Sequence, residues 1–196
     1  MTSNKFDERG IEYLDDTKTI LIRCPDSLSG EVEILQSVKV IQGGDKDVNS
    51  PFYKCRSNIT SLRFATFSKC ESICKFCFYS SNLETADLRQ CDKLQYLNYS
   101  VFSSCPKLST FYFPPKITSI KSGCFYNDVS LKIINLSDSV ESIDGWADDH
   151  YWPFSSTSSI SFNISPNSNL TILNSEAFIF ISCKSIFIPK KLLKLV

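Results

Sequence analysis

Residues 61–73 read Ser-Leu-Arg-Phe-Ala-Thr-Phe-Ser-Lys-Cys-Glu-Ser-Ile, and 21 residues later the pattern returns in residues 82–94 as Asn-Leu-Glu-Thr-Ala-Asp-Leu-Arg-Gln-Cys-Asp-Lys-Leu. Leu, Ala and Cys recur unchanged at three positions of these two stretches. Further units follow, so that the repeats start near residues 62, 83, 108, 131, 160 and 183. A period of about 20 to 50 residues indicates units that stack into a solenoid.

Each unit has the same internal order of apolar residues. An apolar-x-x-apolar-x-apolar stretch, such as Leu108-x-x-Phe111-x-Phe113, predicts a short strand with three inward side chains. An apolar-x-x-apolar pair follows it. The phenylalanines that stand five residues after the second member of that pair are Phe102, Phe125 and Phe178. We expect parallel strands joined by short turns or 3-10 helices, one coil per about 23 residues, and phenylalanines that stack from coil to coil.

A second self-match aligns residues 38–52 with residues 140–154 without gaps, at an offset of 102. Both copies carry six extra residues before a Pro-Phe pair, and insertions in solenoids often form binding loops. The insertion at residues 144–153 is rich in aromatic residues, which are favoured anchors in recognition. Its candidate binding residues are Trp146, His150, Tyr151 and Trp152. Alternatively, the tryptophans fold over the coil edge as a lid, since Trp is highly buried on average.

Composition and charge exclude some partners. The chain has 196 residues, of which 42% are hydrophobic, and its 21 basic and 21 acidic side chains give a formal net charge of zero. A neutral chain without a basic stripe has no electrostatic reason to bind nucleic acid or an anionic membrane. No apolar run approaches the roughly 20 residues that span a bilayer, so we expect no membrane insertion. The N-terminus lacks the apolar core of a signal peptide.

The pattern of the nine cysteines predicts that they pack in the core rather than form a disulfide framework or bind a metal ion. An odd number argues against a closed disulfide framework. Four cysteines stand three residues after an apolar side chain, which predicts one buried thiol position shared by the coils. These are Cys55, Cys70, Cys91 and Cys105. The spacing Cys70-x3-Cys74-x2-Cys77 resembles that of metal ligands, but the local sequence offers no fourth ligand, and we favour a structural role.

Catalysis has little support in the sequence. His150 is the only histidine, and no Ser or Cys motif accompanies it, so we expect no enzyme activity, no catalytic residues and no cofactor. Asp144, Asp148 and Asp149 are clustered and could bind Ca²⁺. Their spacing matches no known calcium loop, so we expect no metal site.

Residues 108–125 read Leu-Ser-Thr-Phe-Tyr-Phe-Pro-Pro-Lys-Ile-Thr-Ser-Ile-Lys-Ser-Gly-Cys-Phe. This resembles the BspA-like leucine-rich repeat, whose pattern is Leu-x-x-Ile-x-Ile-Pro-x-x-Val-x-x-Ile-Gly-x-x-Ala-Phe-x-x-Cys. Asp128 and Thr157 stand where the pattern has Cys. The resemblance covers roughly residues 19–196 and implies a leucine-rich-repeat solenoid. It also implies a surface or secreted protein used in adhesion, with no enzyme activity and no cofactor.

Three segments follow from this interpretation: a polar lead (residues 1–18), a capping segment with a first irregular repeat (19–60), and the repeats proper (61–196). The chain ends in mid-repeat on an apolar segment, so we expect a hydrophobic end that permits end-to-end self-association.

Outward side chains of the strands form the main candidate surface, because repeat proteins usually bind there. The predicted contact residues are Glu84, Thr85, Asp87, Ser109, Thr110, Tyr112, Lys132, Ile133 and Asn135. We expect a protein or glycan partner at a cell surface or outside the cell. The alternative, favoured by the missing signal peptide, is an intracellular protein–protein interaction scaffold.

Overall fold

The computed structural model describes residues 5–44, 47–145, 152–155, 160–174 and 177, and the backbone of residues 194 and 195. Over this part of the chain the structure is a β-solenoid of about five coils, about 26 residues apart, with almost no helix. The predicted solenoid of short parallel strands is therefore confirmed.

Each coil contributes a first and a second strand, and a corner returns the chain to the next coil. In chain order the strands are β1 (Lys5–Phe6), β2 (Glu12–Tyr13), β3 (Ile20–Arg23), β4 (Gly30–Ile34), β5 (Val40–Ile41), β6 (Ile59–Phe64), β7 (Ser72–Ile73), β8 (Thr85–Asp87), β9 (Tyr96–Leu97), β10 (Thr110–Tyr112), β11 (Ser119–Ile120), β12 (Ile133–Asn135), β13 (Ser142–Ile143), β14 (Ser161–Asn163), β15 (Ile172–Leu173) and β16 (Lys194–Leu195). A short 3-10 helix covers Asp47–Asn49.

Strands of neighbouring coils pair in parallel and in register. The first strands form the sheet β4-β6-β8-β10 and the pair β12-β14, and the second strands form β3-β5-β7 and β9-β11-β13-β15-β16. Among the first strands, Ala86 lies between Leu62 and Phe111. Among the second strands, Ile120 lies opposite Ile143. Each inward side chain therefore stacks on its equivalent in the next coil.

The positions predicted to face inward are buried. In the unit that starts at Leu108, the exposed fractions of Leu108, Phe111 and Phe113 are 0, 4 and 7%. The following pair, Ile117 and Ile120, is fully buried. A coil this thin cannot bury such residues by itself, so every coil depends on its neighbours for an apolar interior.

Phenylalanines at one corner of the coils form a continuous stack, the phenylalanine column. Its members are Phe52, Phe78, Phe102, Phe125 and Phe154. The ring centroids of successive members lie 4.7, 5.2, 6.0 and 5.4 Å apart, and the last three pairs are nearly parallel. The predicted stacking is confirmed, except that the predicted member Phe178 lies outside the described residues.

Left-handed backbone on either side of the column turns the chain at this corner. Ser100 and Ser104 flank Phe102 and have φ values of +51° and +59°. Gly123 and Asn127 flank Phe125 and have φ values of +68° and +60°. Gly and Asn adopt this conformation most easily, so the two serines are held there by the repeated stacking of the corner.

The four cysteines that follow an apolar residue by three positions do not share one place in the coil. Phe52 and Phe102 belong to the phenylalanine column. Phe67, by contrast, is 79% exposed with a φ of +57°, and Leu88 is buried directly after β8. The prediction of a single thiol position is therefore wrong, because the same spacing occurs at two different corners. The cysteines themselves are buried: Cys55, Cys70, Cys91 and Cys105.

An antiparallel hairpin precedes the parallel coils. β1 pairs with β2, and β2 pairs with β3 through a register shift between Glu12 and Tyr13. Ile11 and Tyr13 are fully buried, and Glu12 forms an ion pair with Arg23 (Oε2–Nε 2.6 Å). The segment described above as a polar lead thus contributes apolar side chains to the N-terminal end of the core.

Candidate partner-binding surface

The outward side chains of the first strands form one continuous surface, which we call the strand face. It arises because successive side chains of a strand point to opposite sides, so every inward residue leaves an outward neighbour. In-register pairing places Asp87 beside Tyr112, and Asn135 beside Asn163. The face therefore runs along the solenoid axis from β4 to β14.

The structure places the sequence-predicted residues of the strand face on the surface of adjacent coils. Those that are exposed are Glu84, Ser109, Tyr112, Lys132, Ile133 and Asn135. Those that are half-buried are Thr85, Asp87 and Thr110. Tyr112 is 39% exposed and Ile133 is 53% exposed, which makes them the large apolar side chains of this set that solvent reaches most.

The N-terminal part of the strand face carries charges that the sequence analysis missed. Arg63 on β6 forms ion pairs with Glu31 (Nε–Oε1 2.6 Å) and Glu33 (Nη2–Oε2 2.9 Å) on β4. The sequence pattern that could have identified Arg63 is its position between the inward residues Leu62 and Phe64, which directs its side chain outward. Exposed ion pairs of this kind contribute little to stability, so rearranging them on contact with a partner would cost the fold little.

An arginine joins two coils at the centre of the strand face. Arg89, in the turn after β8, binds the Asp87 carboxylate through Nε (3.0 Å) and Nη2 (2.6 Å). Its guanidinium carbon lies 4.2 Å from the centre of the Tyr112 ring in the next coil. The hydrogen bonds from Arg89 lower the pKa of Asp87, and partial burial opposes this shift only in part. The three side chains form an ordered group in which an aromatic ring is accessible beside a fixed charge.

The outward side chains of β12 and β14, in the C-terminal part of the strand face, are uncharged. Asn163 Nδ2 donates a hydrogen bond to Asn135 Oδ1 (2.7 Å) across β12 and β14. An open depression follows, lined by Asn135, Leu136, Phe162, Asn163, Ile164 and Ser165. Amide groups beside apolar side chains can bind backbone groups of a protein or hydroxyl groups of a sugar. The sequence did not identify Asn163 as a strand-face residue, because the insertion separates its strand from the preceding repeats.

The insertion at residues 144–153 is described only at its two ends. Trp152 is 8% exposed, which fits the alternative in which a tryptophan folds over the coil and removes this residue from the contact surface. Trp146, His150 and Tyr151 lie outside the described residues. Asp144 accepts a hydrogen bond from Lys121 Nζ (2.6 Å) and therefore has a cationic partner already. Asp148 and Asp149 also lie outside the described part of the chain.

The spacing Cys70-x3-Cys74-x2-Cys77 resembles that of metal ligands, but within the described residues it does not bring together a group that could hold a metal ion. Cys74 is half-buried and Cys77 is buried in the core. Among the residues that the structure describes, no group of three or more His, Cys, Asp or Glu side chains could hold a metal ion. Within the same residues, no helix has the length and apolarity needed to cross a membrane.

Stacked parallel coils with solvent-facing strand residues define a solenoid repeat protein. The chain belongs to the BspA-type leucine-rich repeat family, because the model of the BspA type leucine rich repeat region matches residues 31–150 in six copies. Membership suggests a protein-binding repeat module. Repeat modules of this kind are generally non-catalytic.

Two solved structures are similar to the chain at low sequence identity. The crystal structure of the pneumococcal vaccine antigen PcpA matches 84% of this chain and 50% of its own, with 14% identity and a TM-score of 0.42. A leucine-rich repeat protein from Bacteroides ovatus ATCC 8483 matches 97% of this chain and 58% of its own chain, with 16% identity and a TM-score of 0.49. The chain thus spans between half and three-fifths of these proteins. No curated protein matches it.

Proposed function

We propose that this chain is a non-catalytic adhesion or recognition module that binds a protein or glycan through its strand face. The observation that carries the proposal is the exposed Tyr112 beside Arg89 at the centre of a surface continuous over several coils. Tyr and Arg are enriched among the residues that dominate binding energy. The exposed Ile133 one coil further extends the same contact.

Charge and family both support the choice of partner. The zero net charge and the pairing of Arg63 and Arg89 with carboxylates disfavour a polyanionic partner such as nucleic acid. BspA-type repeats suggest surface proteins, which supports a location at the cell surface or outside the cell. Trp146, His150 and Tyr151 of the insertion form a second proposed contact, and end-to-end self-association is a further proposed use of the array.

Substitution of Tyr112 tests this proposal against a matched control. Tyr96 on β9 is also 39% exposed but lies among the second strands, away from the strand face. The purified chain is labelled and titrated onto a panel of intact cells and an immobilised glycan array. We expect saturable binding to a member of the panel, a loss of affinity of about tenfold or more for Tyr112→Ala, and an unchanged affinity for Tyr96→Ala.

A second matched pair strengthens the test. Ile133 on the strand face is 53% exposed and Ile172 on β15 is 44% exposed. Ile133→Ala should weaken binding, whereas Ile172→Ala should not. Equal effects of Tyr112→Ala and Tyr96→Ala, or the absence of binding to every member of the panel, would contradict the proposal.

A further inference from the structure

The sheet of first strands is interrupted between β10 and β12. The other neighbouring first strands in the described part of the chain are all paired: β4 with β6, β6 with β8, β8 with β10, and β12 with β14. On the second-strand side the same two coils stay joined, because β11 pairs with β13. The second strands have a break of their own between β7 and β9, where β6 and β8 remain paired. We call the gap between β10 and β12 the seam.

A backbone hydrogen bond at the end of the first strands is missing at the seam. Leu88 N–H, directly after β8, donates to the carbonyl oxygen of Tyr112 (3.0 Å), and the equivalent bond joins β12 to β14 (3.0 Å). Phe113 occupies the position of Leu88 in its own coil. Within the described residues, no such bond joins Phe113 N–H to the carbonyl oxygen of Asn135.

The bond at the start of the first strands is missing as well. Thr110 N–H donates to the carbonyl oxygen of Glu84 (3.2 Å), and the equivalent bond joins the start of β14 to the coil of β12 (2.8 Å). Ile133 has the position of Thr110, yet no bond joins its N–H to the carbonyl oxygen of Ser109 in the part of the chain that the structure describes. Backbone groups of the facing strand edges are thus left for water or a partner to bind.

Two phenylalanines in β10 account for the seam. Phe111 and Phe113 face inward with ring centroids 4.7 Å apart, and these centroids lie 4.7 and 5.9 Å from that of Phe125. On the side of β8, Phe111 lies opposite Ala86, which leaves room for the ring. β12 carries the larger Ile134 at this position, so the two rings keep its edge away from β10.

Away from the strand face, the coils on either side of the seam are firmly joined. Asp144 N–H donates to the carbonyl oxygen of Ile120 (2.9 Å), and Lys121 Nζ forms an ion pair with Asp144 (2.6 Å). Phe125 stacks on Phe154 with ring centroids 5.4 Å apart and ring planes 3° from parallel. The two coils therefore share a fixed side, which is opposite the seam.

Serine side chains join the two coils at the ends of the seam. Ser130 Oγ donates to the carbonyl oxygen of Pro106 (2.5 Å), and Ser137 Oγ donates to that of Pro115 (3.5 Å). Both hydrogen bonds are exposed to solvent. Water replaces such bonds at little net cost, so they hold the seam closed only weakly.

We propose that the seam is a hinge: the coils before and after it rotate about the β11–β13 side, and the strand face thereby changes its curvature. Contacts that resist rotation are intact on one side of the coils and missing on the other, which is the arrangement a hinge requires. Tyr112 and Ile133 lie on opposite edges of the seam, so rotation changes the distance between these two exposed side chains. The hinge itself is independent of the proposed function, and only its use in fitting a partner rests on that function.

Relaxation dispersion of backbone amide nitrogens in the full chain, without a partner, tests whether the seam moves. Hinge motions of this kind occur in microseconds to milliseconds. We expect exchange at Phe111 and Ile134, on the two sides of the seam, with one common rate constant. Val32 and Leu62, which are partners across the paired strands β4 and β6, should give flat profiles. Flat profiles at Phe111 and Ile134, or equal exchange at all four residues, would overturn the hinge.

Amide hydrogen exchange tests the missing bonds with matched residues. Phe113, Leu88 and Leu136 have the same position in their coils and are 7, 0 and 6% exposed, but only the two leucines donate to the next coil. We expect the Phe113 amide to exchange about 100-fold faster than those of Leu88 and Leu136. Equal protection of the three amides would show a closed sheet and contradict the proposal.

An engineered metal clamp tests whether closing the seam stops the motion. Thr110→His combined with Ile133→His places two imidazoles across the seam, and imidazole binds Ni²⁺. Thr85→His combined with Thr110→His places them across paired strands and is the control. We expect Ni²⁺ to bind both pairs and to flatten the dispersion profile of Phe111 only in the seam variant. An unchanged profile after Ni²⁺ binds the seam pair, or Ni²⁺ binding by the control pair alone, would sink the hinge.

Discussion

Asp128 is a fully buried carboxyl group three residues after Phe125, where other coils carry Ser81 and Cys105. Its Oδ1 accepts a hydrogen bond from the backbone N–H of Cys105 (2.8 Å). Among the described residues, Oδ2 has no hydrogen-bond partner. Burial raises the pKa of Asp128 well above its ordinary value of 3.8, and the single hydrogen bond offsets this only in part. We therefore expect Asp128 in the folded protein to keep its proton to a higher pH than an exposed aspartate does.

Asp128→Asn should stabilise the protein increasingly as the pH rises. Above pH 3.8 the unfolded chain loses the proton that the folded chain keeps, so the free energy of unfolding of the native protein falls by up to about 1.4 kcal/mol per pH unit. Asn keeps an acceptor for Cys105 and does not titrate. Urea unfolding at pH 4 and pH 7 should show a small difference between the two proteins at pH 4 and a larger one at pH 7.

A matched substitution separates this effect from a general change of charge. Asp138 is exposed, and Asp138→Asn should leave the free energy of unfolding within about 0.5 kcal/mol at both pH values. If the free energies of unfolding of the native protein and Asp128→Asn differ by the same amount at pH 4 and pH 7, Asp128 is ionised in the folded protein and the prediction is wrong. The sequence identified Asp128 as a departure from the repeat, but its burial depends on the coils on either side.

At the scale of elements, the hairpin β1–β2 depends on Asp7. Its Oδ1 accepts hydrogen bonds from the backbone N–H groups of Arg9 (2.9 Å) and Ile11 (3.0 Å), and its Oδ2 accepts one from Tyr13 Oη (3.1 Å). Burial alone would raise the pKa of Asp7, but the hydrogen bonds and the charge of Arg9 hold it below 3.8. The ionised carboxylate therefore stabilises the turn that closes the N-terminal end of the core.

Asp7→Asn should lower the free energy of unfolding by about 1.5 to 3 kcal/mol at pH 7, the range for hydrogen bonds to a charged group. The stabilisation is complete above pH 3.8 and is lost as the pH falls through the lowered pKa of the folded state. Denaturant unfolding at pH 7 and pH 3 measures it. Asp26→Asn is the control: it removes the ion pair with Lys54, in which the Asp26 side chain is 73% exposed, and should change the free energy of unfolding little. A loss that persists undiminished at pH 3 would contradict this account.

The column illustrates what the sequence predicts about an element and where it fails. The rule of a Phe five residues after the apolar pair finds Phe102 and Phe125, and it also finds Phe78 once Cys70 and Ile73 are taken as the pair. We missed Phe78 because Cys70 was grouped with the thiols rather than with the apolar residues. Phe67 precedes Cys70 by the same spacing by which Phe102 precedes Cys105, but it does not join the column: its backbone is left-handed and its ring is exposed, which a spacing pattern does not reveal.

On the scale of the whole molecule, the sequence predicted whether each strand residue faces inward or outward. It did not predict which residues of neighbouring coils that residue contacts. Alternation along β8, β10 and β12 places the predicted residues outward, since inward neighbours such as Ala86 are fully buried. The contact of Arg89 with Tyr112 joins a turn of one coil to a strand of the next. Such contacts depend on the register between coils, which the sequence of a single coil does not specify.

Successive coils share one apolar interior, and the phenylalanine column holds them together. Phe102, which stacks on Phe78 at 5.2 Å and on Phe125 at 6.0 Å, lies in the middle of that column. Phe67 is the matched control, because it is the same residue type at 79% exposure.

The most direct test is the free energy of unfolding in urea of Phe102→Ala and Phe67→Ala. We expect Phe102→Ala to lose about 3 to 5 kcal/mol, because it leaves a cavity between two stacked rings. Phe67→Ala should stay within about 0.5 kcal/mol of the native protein. Equal losses for the two variants, or a larger loss for Phe67→Ala, would contradict the stacked interior on which the strand face depends.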